Sequence, residues 1–327
     1  MISVVIATYN RQRLLERTLR ALEEQHVPAD GFEVIVADNG STDGTAARLA
    51  EARARGRLDL RVLTVSEPGK SVALNAAMPQ ARGDVLAFTD DDVVPEPDWL
   101  PAVGRAFEAP EVDFVAGRIL PLWEVPPPAW LSPALYGVIA VPDGGPDRRA
   151  IEGTGSGIMP IGTNLAVRRR VIERLGGWRT DLGKLRGTLR TGEDHEFFVR
   201  MLRAGCRGVY EPAARVGHLV PASRLRQSYF RDWFYGNGRV VALLEEDYPT
   251  TRRYVLGVPG YLWRAAARDL GRAAHAFAAG RTAERFAGGV RLRWFAGYLR
   301  QRWSLRLKPG PRLSAEPPSS ADADAPA

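Results

Sequence analysis

From Ile2 to Thr89 the chain alternates short β-branched and apolar runs with segments of helical spacing, and this alternation restricts the fold more than any other feature. The runs cover 2–7, 32–37, 60–65 and 85–89. Between them, 13–25 places Leu14, Leu15, Leu19 and Leu22 on one helical face, while 45–55 and 71–81 carry further helical patterns. Parallel strands cannot be joined by tight turns and need crossover connections, so the alternation predicts an α/β protein with a mostly parallel sheet flanked by helices. Ligands of such sheets bind beyond the carboxyl ends of the strands. Those ends carry Thr8-Tyr9-Asn10-Arg11, Asp38-Asn39 and Asp90-Asp91-Asp92.

Downstream of Phe107 the pattern changes. A strand is expected over 112–122, followed by an irregular Pro-, Trp- and Gly-rich stretch over 123–162 where acceptor specificity is expected to lie. "IGTNLAVRRRVIERLGGW" reads as a strand and a helix closed by Gly176 and Gly177. "TGEDHEFFVRMLRAGC" reads as a helix with an acidic first turn, and "GVYEPAARVGHLV" as a strand pair or a strand and loop. From Tyr261 to Trp303 the spacing is helical, with Phe286, Val290, Trp294 and Tyr298 forming one stripe on an Arg-rich background.

Three adjacent aspartates at a strand end repel one another and call for a compensating cation or donors. An EF-hand loop is excluded, because "DDDVVPEPDWL" has Val-Val-Pro where spaced ligands and a glycine belong. A hard divalent cation, Mg²⁺ or Mn²⁺, held by few carboxylates and by substrate phosphates, fits the pattern. Asp38 either accepts hydrogen bonds from a nucleoside or caps the turn that follows. Glu193, Asp194 and Glu196 lie where a helix dipole stabilises negative charge, and one of them is alternatively a general base. His218 is either a buried structural histidine or a further metal ligand.

With these residues in order, the chain resembles the family 2 glycosyltransferases, inverting enzymes with the GT-A nucleotide-sugar-binding fold. The resemblance runs from Ile2 to about Gly238 through "VVIATYNR", "VIVADNGSTDGT", "SVALNAAMPQARGDVLAFTDDDV", "IGTNLAVRRRVIERLGGW", "TGEDHEFFVRMLRAG" and "VYEPAARVGH". It implies donor contacts from Thr8, Tyr9, Arg11, Asp38, Asn75, Asp90 and Asp91, with Asp38 on the base and Asp90 near the ribose or the metal shell. It implies metal ligation by Asp92 and His218, and Asp194 as catalytic base. Gly162, Thr163, Asn164, Glu193 and Trp178 fall on the acceptor side. The sequence departs from the family pattern at Asn39, where a second Asp is frequent, and at Trp178, where Phe is frequent. The implied donor is a nucleotide-diphosphate sugar, a UDP-sugar by preference, and the acceptor a sugar or lipid-linked hydroxyl in cell-surface polysaccharide, glycolipid or glycoconjugate synthesis.

Two other classes are weighed against this. A sugar-1-phosphate nucleotidyltransferase needs a Gly-rich phosphate loop after the first strand, where this chain has "TYNRQRLLE". A non-catalytic nucleotide-sugar-binding protein would keep the fold without turnover. No convincing Ser/His/Asp or Cys/His set is visible.

The expected organisation is a catalytic domain over 1–240, with a nucleotide-binding half (1–110) and an acceptor-binding half (111–240). A basic amphipathic helical extension over 241–310 and a disordered tail over 311–327 follow. Most of the net charge of +7 resides in that extension. Packing on the catalytic domain or lying on an anionic membrane both suit it, whereas no nucleic-acid motif is present. The single Cys206 permits no intrachain disulfide, and neither a signal peptide nor a membrane-spanning stretch is read. The expected compartment is the cytoplasm, with peripheral contact on the inner face of the cell membrane as the open alternative.

Overall fold

The run at the N-terminus is buried at nearly every position, which suits a strand covered on both faces, and it forms β1 (Ile2–Thr8) at the centre of a sheet. In the computed structural model, residues 1–183 and 191–307 are described. After β1 come α1 (Gln12–Glu23), β2 (Phe32–Asp38), α2 (Thr45–Arg55), β3 (Leu60–Thr64), α3 (Lys70–Ala77), β4 (Val85–Thr89), β5 (Val93–Pro95) and α4 (Trp99–Ala106). The second half adds β6 (Phe114–Trp123), β7 (Arg149–Ile151), β8 (Asn164–Arg168), α5 (Arg169–Leu175), α6 (Glu193–Arg203), β9 (Gly208–Val220) and α7 (Gln227–Asp247). A short hairpin of β10 (Tyr254–Val255) and β11 (Val258–Pro259) leads into α8 (Gly260–Ala278) and α9 (Thr282–Leu307).

The main sheet runs β3-β2-β1-β4-β8-β6-β9-β5, with β7 paired to β9. β1, β2, β3 and β4 are mutually parallel, as the alternation requires. Beyond β4 the sheet becomes mixed: β8 is antiparallel to both β4 and β6, while β6 and β9 are parallel. The "GVYEPAARVGHLV" segment is one continuous strand, β9, and not a pair. Apolar layers cover both faces, one under α1, α2 and α4, the other under α3, α5 and α6.

The helical region after Tyr261 forms two helices, α8 and α9. Gly280, at φ 68°, breaks the pattern, and α9 folds back on α8 and α7. α7 runs through the 240/241 boundary and belongs to both sides of it. It crosses α9 at two glycines. A Cβ on Gly238 would stand 2.0 Å from the Trp294 carbonyl, and one on Gly297 would stand 2.2 Å from that of Tyr235, so only glycine permits this approach. The aromatic stripe that suggested a membrane face is consumed by this packing. Phe286, Val290 and Tyr298 are buried, and Trp294 Nε1 donates to Asn237 Oδ1 at 2.9 Å. Phe286 and Phe230 both pack on Trp130 of the main core. The tail over 311–327 lies outside the described residues.

Candidate active site

The carboxyl ends of β1, β2 and β4 meet in register: Thr8 lies beside Asp38, and Asp90–Asp92 follow β4. Thr8, Asn39 and Asp90–Asp92 line one cleft together with Tyr9, Arg11, Lys70, His218 and Arg224, while Asp38 lines a separate depression beside α2. Asn10, at φ 52°, shapes the loop after β1. Its Oδ1 accepts from the amides of Thr42 at 2.7 Å and Asp43 at 3.3 Å, which ties this loop to the one after β2.

The three aspartates have different partners. Asp90 accepts from Lys70 Nζ and from Thr163 Oγ1, the latter at 2.8 Å. Asp91 accepts from Thr8 Oγ1 at 2.7 Å. Burial first, and then the charge of Asp92, push the Asp91 carboxyl up to about 7, so its proton is held near neutrality. Asp92 lies 3.3 Å from His218 Nε2 and 3.3 Å from Arg224 Nη2.

Lys70 escaped the sequence reading. It sits at the start of α3, directly after Gly69 at φ 139°, in "EPGKSVALN". Burial alone would push its ammonium down. The carboxylates of Asp90, Asp194 and Glu193 outweigh that and raise it, so Lys70 is a fixed cation between the aspartates after β4 and the first turn of α6. A lone lysine after a glycine has no spacing signal that would single it out.

Asn39 sets the position of Lys70. Its Nδ2 donates to the carbonyls of Val65 at 3.0 Å and Glu67 at 2.6 Å, and its Oδ1 accepts from Gly69 N at 2.8 Å. An aspartate could not make the two donations, which explains the departure from the family pattern without reference to the base. Asn39→Asp should therefore destabilise the fold by about 2–4 kcal/mol, because a buried carboxylate would face two carbonyls. Urea unfolding measures this, and a change within error would remove the clamp role. Asp38 accepts from Ser41 N at 3.0 Å and so caps the turn that follows β2.

The other wall comes from α6 and the residues before β8. Asp194 Oδ1 accepts from Trp178 Nε1 at 3.2 Å. Trp178 is buried, edge-on to Phe88 at 4.4 Å and 4.7 Å from Phe197. Asn75 commits both amide atoms to the backbone of Trp178, donating to its carbonyl at 2.7 Å and accepting from its amide at 2.9 Å. In this structure its amide holds the backbone of Trp178. A Cβ on Gly162 would stand 3.0 Å from Asp194 Oδ1, so the glycine leaves room at that carboxylate. Glu193, next to Asp194, is buried behind Ser71 and Gly183.

Thr163 reaches the cleft through Asp90, but Asn164 does not. Thr163 ends the turn before β8, and Asn164 is the first residue of that strand. Asn164 accepts from Trp99 Nε1 at 2.9 Å and donates to the carbonyls of Arg118 at 3.0 Å and Ala214 at 2.8 Å. Its buried side chain thus fastens β8 to α4, β6 and β9. Glu196 is likewise structural, paired with Arg200 at 3.0 Å and accepting from Tyr248 Oη at 2.7 Å.

The geometry admits a divalent ion at one corner. Donor atoms on adjacent vertices of an octahedron with bonds of about 2.1 Å lie roughly 3 Å apart. Asp92 Oδ1 and His218 Nε2, 3.3 Å apart, come close to that edge. His218 is buried with its Nδ1 unpartnered among the described residues. No cluster of three His, Cys, Asp or Glu side chains suited to an ion occurs among the described residues, so further ligands would have to come from a substrate or water.

The sheet, parallel over β1–β4 and mixed beyond, carries aspartates at its carboxyl edge and the half-buried Asp194 on α6. Residues 3–176 match the family model described as Glycosyl transferase family 2, and the chain belongs to that family. It is 34% identical over 119 residues to the glycosyltransferase AglE of Haloferax volcanii, covering 36% of this chain and 39% of AglE. It is 29% identical over 226 residues to the succinoglycan biosynthesis protein ExoM of Rhizobium meliloti, covering 68% of each. Among solved structures it resembles the mannosyltransferase PcManGT of Pyrobaculum calidifontis, determined with GDP-Man and Mn²⁺. That likeness has a TM-score of 0.64 at 23% identity and covers 93% of this chain and 87% of that one. The protein is thus a transferase of this family with a GT-A fold.

Proposed function

We propose that this transferase moves a sugar from a nucleotide-diphosphate sugar to an acceptor hydroxyl, in one cation-dependent displacement that inverts the anomeric centre. The observation that carries the reading is that Lys70, paired with Asp90, also lies within the field of Asp194, whose carboxylate borders Gly162 next to the Thr163 that donates to Asp90. The likeness to a structure holding GDP-Man and Mn²⁺ supports a nucleotide-sugar donor and a divalent cation.

In this reading the base and ribose lie along Thr8, Tyr9, Arg11 and Asp38, with Asp90 on the ribose side. Asp92 and His218 would hold the cation. When bound, it supplies Lewis-acid and electrostatic neutralisation of the departing diphosphate. Arg11, Lys70 and Arg224 add fixed positive charge around the same phosphates. Asp194 takes the proton of the attacking hydroxyl, and Trp178 fixes the orientation of that carboxylate. Gly162, Thr163 and Glu193 form the acceptor side. The segment over 123–162 supplies specificity: its helical turn Pro133–Ile139 ends in Ala140, a cleft-lining residue at φ 58°.

Trp178→Phe keeps the ring packing and removes the hydrogen bond to Asp194. We expect kcat to fall about tenfold with KM nearly unchanged, the scale of one hydrogen bond to a charged group. A matched fall in donor affinity would instead make Trp178 a binding residue.

We further place the enzyme in the cytoplasm, with cell-surface polysaccharide, glycolipid or glycoconjugate as product, a UDP-sugar as preferred donor and peripheral membrane contact for a lipid-linked acceptor. Thermal stabilisation across UDP-, GDP- and dTDP-sugars with Mn²⁺ tests the donor. A UDP-sugar should raise the unfolding midpoint most, and only with the cation present. No response to any nucleotide sugar would overturn the donor reading.

A further inference from the structure

Among the described residues no helix is long and apolar enough to cross a membrane, and the aromatic stripe of α9 is buried. Apart from Leu270 and Phe277 on α8, the large apolar side chains left exposed near the basic helices gather at the tip of the β10–β11 hairpin. Val255 is 55% and Leu256 68% exposed, and Tyr254, Tyr261 and Trp303 around them are exposed as well.

Three observations separate this tip from an ordinary loop. The first is conformational. The turn places Leu256 at φ 51° and Gly257 at φ 78°. Two positive φ angles mark a type I′ turn, whose first central position favours Asn, Asp or Gly. A solvent-exposed leucine there is unfavourable for the turn and for hydration alike, so folding gives no reason for it.

The second is the hydrogen bonding of the tip. Val255 O accepts from Trp263 Nε1 at 3.1 Å, Leu256 O from Trp303 Nε1 at 3.4 Å, and Gly257 O from Arg302 Nε at 3.1 Å. The donors come from α8 and α9. The carbonyls of the turn are therefore satisfied without water, which is what a backbone needs if it is to leave water.

The third is charge. Arg252, Arg253 and Arg306 are exposed beside the tip, and a Cβ on Gly257 would collide with the Arg306 guanidinium. From 252 to 307 the chain carries twelve arginines against Asp269 and Glu284.

We propose that the β10–β11 hairpin is an interfacial anchor that inserts Val255 and Leu256 into the headgroup–acyl boundary of an anionic phospholipid membrane. Trp303, Tyr254 and Tyr261 lie at headgroup level and the flanking arginines on lipid phosphates. This deepens the membrane-contact part of the proposed function and is independent of the chemistry in the cleft.

The test is co-flotation of the full chain at low salt with phosphatidylcholine vesicles, with and without phosphatidylglycerol. The wild type should float only with the anionic vesicles. Leu256→Asn supplies the residue the turn prefers, so its unfolding midpoint should hold or rise while partitioning falls about tenfold, the scale of one leucine side chain withdrawn from the apolar phase. Arg252→Gln with Arg253→Gln should lower partitioning at least about tenfold and weaken its salt dependence. Transfer to a soluble acceptor should be unchanged in both variants. A wild type that stays soluble with anionic vesicles overturns the membrane contact altogether. A Leu256→Asn protein that floats like wild type overturns the hairpin and returns the contact to the Arg faces of α8 and α9. Concentration-dependent self-association that Leu256→Asn abolishes, without flotation, overturns the proposal in favour of a second copy of this chain.

Discussion

Asp194→Asn should lower kcat at least about a hundredfold while leaving donor affinity nearly unchanged, the usual scale for losing a general base. The substitution is isosteric. An asparagine Oδ1 can still accept from Trp178 Nε1, now 3.2 Å from the carboxylate, so orientation is kept and only proton affinity is lost. A structural role makes a different prediction. Asp194 lies in the first turn of α6, where the helix dipole favours a negative charge by about 0.3–1 kcal/mol. If that were its whole function, the variant would be slightly less stable and fully active. Release of nucleoside diphosphate measures kcat, calorimetry measures donor affinity, and thermal unfolding measures stability. Unchanged kcat would move the base elsewhere, with Glu193 the neighbour to try next.

The parallel half of the sheet was legible because periodicity and composition agree there: apolar strands buried on both faces leave few alternatives. The aspartates after β4 were legible because three like charges at a strand end demand an explanation. Residues whose work is done through the backbone of another segment were not. Asn75 and Asn39 look like polar cleft residues, yet each fastens a backbone stretch distant in sequence, Trp178 and 65–69 respectively. Asn164 belongs with them: it opens β8 after a turn and fastens α4, β6 and β9 through Trp99, Arg118 and Ala214. α7 carried no clear stripe: its polar and aromatic residues are distributed around a helix that meets α9, the main core and Leu182 at once. The break at Gly280 carries no proline, and helix-forming sequence continues on both sides of it.

Those same contacts bear on how the cleft responds to its ligands. Lys70 holds Asp90 and stands near Asp194 and Glu193, while Arg224 stands near Asp92 and His218. Each cation is a counter-charge for the aspartates when no donor is bound. A diphosphate arriving with its own cation would compete for these carboxylates and accept Lys70 and Arg224 in exchange. Binding of nucleotide and of metal should therefore be mutually reinforcing.

Asp92→Asn is the sharper test of that coupling. Transfer that depends on added Mn²⁺ should fall by about a hundredfold to a thousandfold, the range seen when one preorganised electrostatic contact to a leaving oxyanion is lost. The substitution removes charge without removing bulk. It also relieves part of the repulsion that, after burial, raises the Asp91 carboxyl. Against this, Arg224 loses the carboxylate 3.3 Å away. The two effects on stability oppose one another, so the unfolding midpoint should move little and a folded protein should be available for assay. Calorimetric titration of Mn²⁺ in the presence of nucleoside diphosphate then separates the roles. A metal ligand predicts loss of the Mn²⁺-dependent increment in nucleotide affinity, whereas a purely structural aspartate predicts that the increment persists. Normal cation-dependent turnover in the folded variant would place the ion away from His218, on the Asp90 side of the cleft, and would make the buried Asp92–His218–Arg224 contact a fastening between β5, β9 and the segment that follows β9.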